Sequence, residues 1–166
     1  MSAANPEDHR LDHIVVAMFE NRSFDNLLGY LFRVPGTPRY EGLRRQDLSN
    51  PVPPYAEGPG TGTVAVHPAN TMAAPYPDPG EEYPHVNTQL FGTVSPVENR
   101  FSMIDDMKPP YNAPPSGTSP SMNGFVLDYV DQLRTDSGRM PSVPEYSQIM
   151  ACYTPDQLPV LSGLAG

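Results

Sequence analysis

Glu20 and Asn21 are an acid and an amide set directly after the apolar run Ile14-Val15-Val16-Ala17-Met18-Phe19. They offer an anionic carboxylate and a neutral carbonyl, hard oxygens that suit a divalent cation such as Mg²⁺, Ca²⁺ or Mn²⁺. Cleavage of a phosphate ester needs positive charge beside the phosphoryl oxygens. Glu20 and Asn21 are therefore candidate ligands for a divalent metal ion or a phosphate-bearing substrate. The plainer alternative is a strand-to-helix turn that Asn21 caps. His85 is the second candidate, because an imidazole with an ordinary pKa of about 6.5 can bind phosphate or act as an acid or base. On a helix, His85 shares a face with Gln89 and, one turn earlier, Glu81; its plain reading is a surface helix residue. Asp78, within Asp78-Pro79-Gly80, is either a ligand or part of a turn. Asp105-Asp106 beside Lys108 reads as solvated surface, and Glu81-Glu82 as a solvated first helical turn.

These residues need elements to hold them. The run Ile14 to Phe19 is continuous and rich in β-branched residues, which suits a strand buried on both faces. Ser23 can cap a following helix with Phe24, Leu27, Leu28 and Leu31 at helical spacing. In open α/β sheets ligands bind at the carboxyl ends of strands, where Glu20 and Asn21 would sit. Residues 33–82 carry too many prolines for regular structure, apart from one short strand or hairpin arm over Gly62 to His67. A short helix follows over Glu82 to Phe91, then a further turn near Phe101 to Met107 and a second Pro-rich loop over 108–121. Met122 to Arg134 reads as a helix whose apolar face is Phe125, Tyr129 and Leu133 with Val126 and Val130. Thr154-Pro155-Asp156-Gln157 has the pattern of a helix start with a capping box, and Leu158, Leu161 and Leu164 would form its apolar face. One strongly marked strand cannot make a sheet, so the expected fold is α/β with an incomplete sheet.

Composition narrows the classes. The chain of 166 residues holds 22 prolines and 13 glycines, against average usage of about 5% and 7%. A net charge of −9 with scattered basic residues, Arg44-Arg45 being the one adjacent pair, argues against nucleic acid as a partner. Cys152 is the sole cysteine, so no intramolecular disulfide forms, and the thiol reads as a small buried apolar group. Residues 1–10 are polar and read as a flexible N-terminus without a secretory signal. No apolar run is long enough to span a membrane. The default compartment is then cytoplasmic. Asn21-Arg22-Ser23 also matches a glycosylation sequon, a short and unspecific pattern.

The stretch Glu20-Asn21-Arg22-Ser23-Phe24-Asp25 resembles the opening motif of a phosphoesterase family that includes non-specific phospholipases C and acid phosphatases. Three later pieces fit the same family: Asp78-Pro79-Gly80 leading to Gln89-Leu90-Phe91-Gly92; Met122-Asn123-Gly124-Phe125-Val126; and Ile149-Met150-Ala151-Cys152-Tyr153-Thr154-Pro155-Asp156-Gln157-Leu158-Pro159-Val160-Leu161. The matches run from Leu11 to Ala165. The resemblance implies an alkaline-phosphatase-like α/β/α sandwich, of which residues 11–166 would be the N-terminal part. It implies hydrolysis of a phosphate ester, a phospholipid or a small phosphomonoester, by a Ser/Thr nucleophile that forms a covalent phospho-enzyme. It places Glu20 and Asn21 near metal and phosphate. In the family the nucleophile, an Asp-rich metal motif and further histidines follow the last motif, so the chain is expected to lack them and to be inactive alone. Glu81 stands where many members carry His, and His85 lies four residues on. Many relatives are exported. The rival reading is a non-catalytic module that presents Pro51-Val52-Pro53-Pro54-Tyr55 and Pro109-Pro110-Tyr111-Asn112-Ala113-Pro114-Pro115 as polyproline II surfaces to a protein partner.

Overall fold

The computed structural model describes residues 13–20, 22–31, 42–43, 48–58 and 62–166. The expected flexible residues 1–10, the pair Arg44-Arg45 and Asn21 lie outside the described residues. In chain order the elements are α1 (Phe24–Leu28), β1 (Ser49–Pro51), β2 (Thr63–Ala65), β3 (His67–Pro68), α2 (Tyr83–Phe91), α3 (Phe125–Ser137), α4 (Val143–Ser147), β4 (Ala151–Cys152) and α5 (Pro159–Ala165). Short 3₁₀ turns cover Val97–Phe101, Ile104–Asp106 and Gln148–Met150. Helices with small two-stranded sheets agree with an α/β class.

The sheet is not where the apolar run predicts it. Residues 14–19 form no strand, and Val15, Val16 and Met18 are 91%, 80% and 86% exposed. A strand needs a ladder partner for its N–H and C=O groups, and no described strand pairs with this run. β1, β2 and β3 lie instead inside the proline-rich stretch, β2 within the arm expected over Gly62 to His67, and β4 lies in the last family motif. β1 pairs antiparallel with β2, matching Asn50 to Val64, and β3 pairs parallel with β4, matching His67 to Ala151. Each has two or three residues, and Pro51 closes its strand, a position that tolerates the missing donor.

α1 starts as Ser23 predicts: its side chain accepts from the Asn26 N–H at 3.1 Å. It ends at Leu28, short of Leu31: the Gly29 carbonyl accepts from the Leu43 N–H at 2.9 Å, and the Leu31 N–H donates back to the Leu28 carbonyl at 2.9 Å. α2 runs over almost the expected residues, and Gly92 closes it with φ 64°. α3 carries the main core. Val126, Tyr129, Val130 and Leu133 pack with Val64, Tyr146 and Met150. Its N-terminus lacks a local cap; Asn50 on β1 serves, accepting from the Phe125 N–H at 2.8 Å and donating to the Met122 carbonyl at 3.2 Å. The capping box at Thr154 half-forms: Gln157 Oε1 accepts from the Thr154 N–H at 2.9 Å. Helix α5 nevertheless begins at Pro159, and Leu164 on its expected apolar face is exposed. Pro159 explains the delay, because a residue before proline is disfavoured in the helical region and Leu158 sits at φ −124°, ψ 59°, while Gln157 Nε2 donates to the Ala69 carbonyl and fixes this turn against the β3 side.

Buried tyrosines tie the loops down. Tyr129 donates to the Pro77 carbonyl at 2.6 Å, Tyr146 to Glu57 at 2.5 Å, and Tyr153 to Met72 and Ala74 at 2.9 and 3.0 Å. The second Pro-rich loop is loop as expected, and it is held by Asn99 and Asn112: Asn112 Nδ2 donates to Thr88 Oγ1 on α2, and Asn99 Nδ2 to the Lys108 carbonyl. Tyr111 and Asn112 both have φ 55°, so the backbone there turns.

Candidate functional site

A cleft of about 210 Å³ opens between α2, α3 and the two 3₁₀ turns at 97–106. His85 enters it from α2, Asp128 and Asp131 from α3, and Arg100 from the first turn. His85 Nδ1 lies 2.9 Å from Asp128 Oδ1, and Gln89 Nε2 donates to Asp128 Oδ2 at 2.9 Å. The shared helical face of His85 and Gln89 thus closes around one carboxylate that is only 5% exposed. Gln89 Nε2 also donates to the Gly80 carbonyl at 2.8 Å. Gly80 is fixed from the other side, where its N–H donates to Gln132 Oε1 at 2.7 Å and Gln132 Nε2 donates to the Asp78 carbonyl at 2.7 Å. A Cβ on Gly80 would sit 2.2 Å from His85 Cγ, so glycine is needed for the imidazole to pack there.

The electrostatics follow from this geometry. The Asp128 hydrogen bond raises His85 above its ordinary value; burial opposes the rise, and the Asp128, Glu82 and Asp136 carboxylates add to it. Burial raises Asp128, against the pull of His85 and Gln89. Asp131 is pushed up to about 7 by burial, although Tyr55, which donates to its Oδ1 at 2.5 Å, and Arg100 both favour its charged form. Asp131 Oδ2 and Arg100 Nε are buried without a protein partner. The Arg100 guanidinium lies 4.6 Å from the Tyr55 ring centroid. The cleft can therefore hold and release protons near neutral pH.

The other candidates separate. Glu20 sits exposed in a turn, and Asn21 lies outside the described residues. Arg22 Nη1 is 3.6 Å from Asp78 Oδ1, so the residue after that pair is tied to the loop that carries Gly80. Asp78 thus makes a surface ion pair. Glu81, Glu82, Asp105 and Asp106 are exposed. The Ser147 carbonyl oxygen lies 3.1 Å from His67 Nε2 and accepts from it when that nitrogen carries the proton. Cys152 is buried, and burial pushes its thiol up to about 12, which suits an inert packing residue. A divalent ion of the Mg²⁺ type takes one or two protein oxygens and completes its shell with water and phosphate oxygens. An exposed Glu20 beside an amide fits that demand. Among the described residues no group of three His, Cys, Asp or Glu side chains could hold a metal.

Sequence reasoning missed Asp128, Asp131, Tyr55 and Arg100. Spacing gave no signal for the two acids, because Asp128 and Asp131 fall away from the helix stripe of Val126, Tyr129, Val130 and Leu133, on the side where an acid ordinarily meets water.

An α/β frame that presents a histidine–carboxylate pair in a polar cleft suits hydrolytic proton transfer. The Phosphoesterase family matches residues 11–166, and the chain belongs to that family. The family makes it a hydrolase of phosphate esters. No curated protein and no solved structure matches the chain. No helix among the described residues is long and apolar enough to cross a membrane.

Proposed function

We propose that this chain serves a phosphate-ester hydrolase of the phospholipase C or acid phosphatase type, within an alkaline-phosphatase-like sandwich. Glu20 and Asn21 hold a divalent cation beside the phosphoryl group, where it would neutralise charge on the phosphoryl oxygens. His85 handles the proton of the ester oxygen. The observation that carries this reading is the 3.6 Å contact of Arg22 with Asp78, which draws the motif at 20–25 towards the loop packed on His85.

The nucleophile is a Ser or Thr that does not line this cleft. The hydroxyls that line the cleft are all engaged: Thr88 donates to Pro84, Ser102 to Glu98 and Thr135 to Asp131, each at a backbone carbonyl within 3.0 Å. The chain alone should release no p-nitrophenol from p-nitrophenyl phosphate above the uncatalysed rate with Mg²⁺, Ca²⁺ or Mn²⁺. Calorimetry with inorganic phosphate should show binding that requires Mg²⁺ and weakens at least tenfold in Asn21→Ala. Turnover by the chain would refute an external nucleophile. Phosphate binding that ignores both the metal and Asn21 would remove the proposed site.

A further inference from the structure

His85 is held by more than one contact, and every contact traces to α3. Asp128 meets Nδ1 at 2.9 Å, and its second oxygen is occupied by Gln89. Gln132, one turn after Asp128, grips the Asp78-Pro79-Gly80 loop at two points, 2.7 Å each. That loop lays the bare Cα of Gly80 on the ring. A ring clamped at Nδ1 and across its face leaves Nε2 as the atom free to serve the cleft that His85 lines.

We propose that Asp128 is a positioning residue that fixes His85 as the general acid, with Nε2–H directed at the alcohol oxygen of the phosphate ester. This rests on the hydrolase reading above and decides between its acid and base forms. The charges around the ring favour the acid. Asp128, Asp131 and Asp136 face the cleft from α3 and Glu82 from the start of α2, while Arg100 is the facing cation from the first 3₁₀ turn. Such surroundings retain a proton on imidazole and disfavour a phosphate dianion next to it. The alcohol side of the ester, rather than the phosphoryl oxygens, belongs at His85.

The step balances. The Ser/Thr hydroxyl releases its proton to solvent, and its oxygen bonds to phosphorus as the P–O bond to the alcohol breaks. The electron pair goes to the alcohol oxygen, which takes the Nε2 proton. His85 is left neutral, with its remaining proton on Nδ1 against Asp128. Water then attacks phosphorus and gives one proton to Nε2, while the departing Ser/Thr oxygen takes back a proton from solvent.

Histidine-selective ¹⁵N NMR of the chain, titrated from pH 5 to 9, tests the arrangement without substrate. The His85 midpoint should lie above 6.5, and above it the neutral ring should carry its proton on Nδ1. In Asp128→Asn the midpoint should fall below 6.5, because burial then acts with little opposition. Gln89→Met should lower it by less. A neutral ring protonated on Nε2 in the unaltered chain, or a midpoint that Asp128→Asn leaves in place, would overturn the proposal. The tautomer reading needs no variant to fold. Failure here leaves the metal-dependent phosphate binding standing, and failure of that binding leaves the His85 result standing.

Discussion

Asp131 shows what one buried carboxylate does to the whole chain. It is 7% exposed, one oxygen is bound by Tyr55 and the other has no partner. Burial raises it from 3.8 in the unfolded chain to about 7 in the fold. A raised folded value means the native state holds the proton more tightly, so its stabilising share is complete below 3.8 and is lost as pH climbs towards 7. A rise of that size corresponds to a loss of at most about 4 kcal/mol. Asp128 and His85, both raised, tilt the curve the same way, His85 contributing its part above 6.5. Urea unfolding should therefore give lower stability at pH 7.5 than at pH 4.5. Asp131→Asn, whose amide oxygen can still accept from Tyr55, should flatten that slope by half or more. An unchanged slope would mean that Asp131 is solvated.

At the scale of elements, the contact of α2 with α3 sets the cleft. It depends on Gly124, whose N–H donates to the Gln89 carbonyl at 3.0 Å, while the Met122 N–H donates to Leu90 at 2.8 Å. A Cβ at Gly124 would lie 1.8 Å from the Thr88 carbonyl oxygen and 2.9 Å from Gly92 Cα, and neither is a side chain that could swing aside. The glycine in Met122-Asn123-Gly124-Phe125-Val126 is thus a close-approach position between two helices. Gly124→Ala should cost about 1–3 kcal/mol as an overpacking change and should move the His85 resonances, since His85 and Asp128 sit on the two helices forced apart. Chemical denaturation and the histidine spectrum of that variant check both effects.

Across the whole molecule, order is supplied by polar groups on the few regular elements reaching into long irregular ones. Asn26 on α1 donates to the Ala151 carbonyl at 2.9 Å and accepts from the Tyr153 N–H at 2.7 Å through its own carbonyl, which joins the helix of the first family motif to the last motif. The tyrosine hydroxyls give the proline-rich loops the donors that their own missing N–H groups cannot. The exposed run 14–19 takes no part in this. Val16→Lys should therefore change the stability of the chain by no more than about 0.5 kcal/mol, as measured by thermal or urea unfolding. A cost of several kcal/mol would show the run to be buried in a sheet.

Local chemistry was legible in the chain itself. The Ser23 cap, α2 with His85 and Gln89 on one face, the apolar stripe of α3 and the inert Cys152 all follow from spacing and side-chain type, because each is decided within a turn or two of helix or by one residue's environment preference. The family motifs, read as ordered strings, pointed to phosphate-ester hydrolysis in the same way. Spacing could not reveal that Asp128 would meet His85 from 43 residues away, that Asn50 would cap α3, or that the arm expected over Gly62 to His67 would find β1 as its antiparallel partner. Nor could it reveal that an ideal strand-forming run would stand in solvent. Those outcomes turn on which partner a polar group or an apolar face finds, and a partner is chosen only when the chain closes on itself.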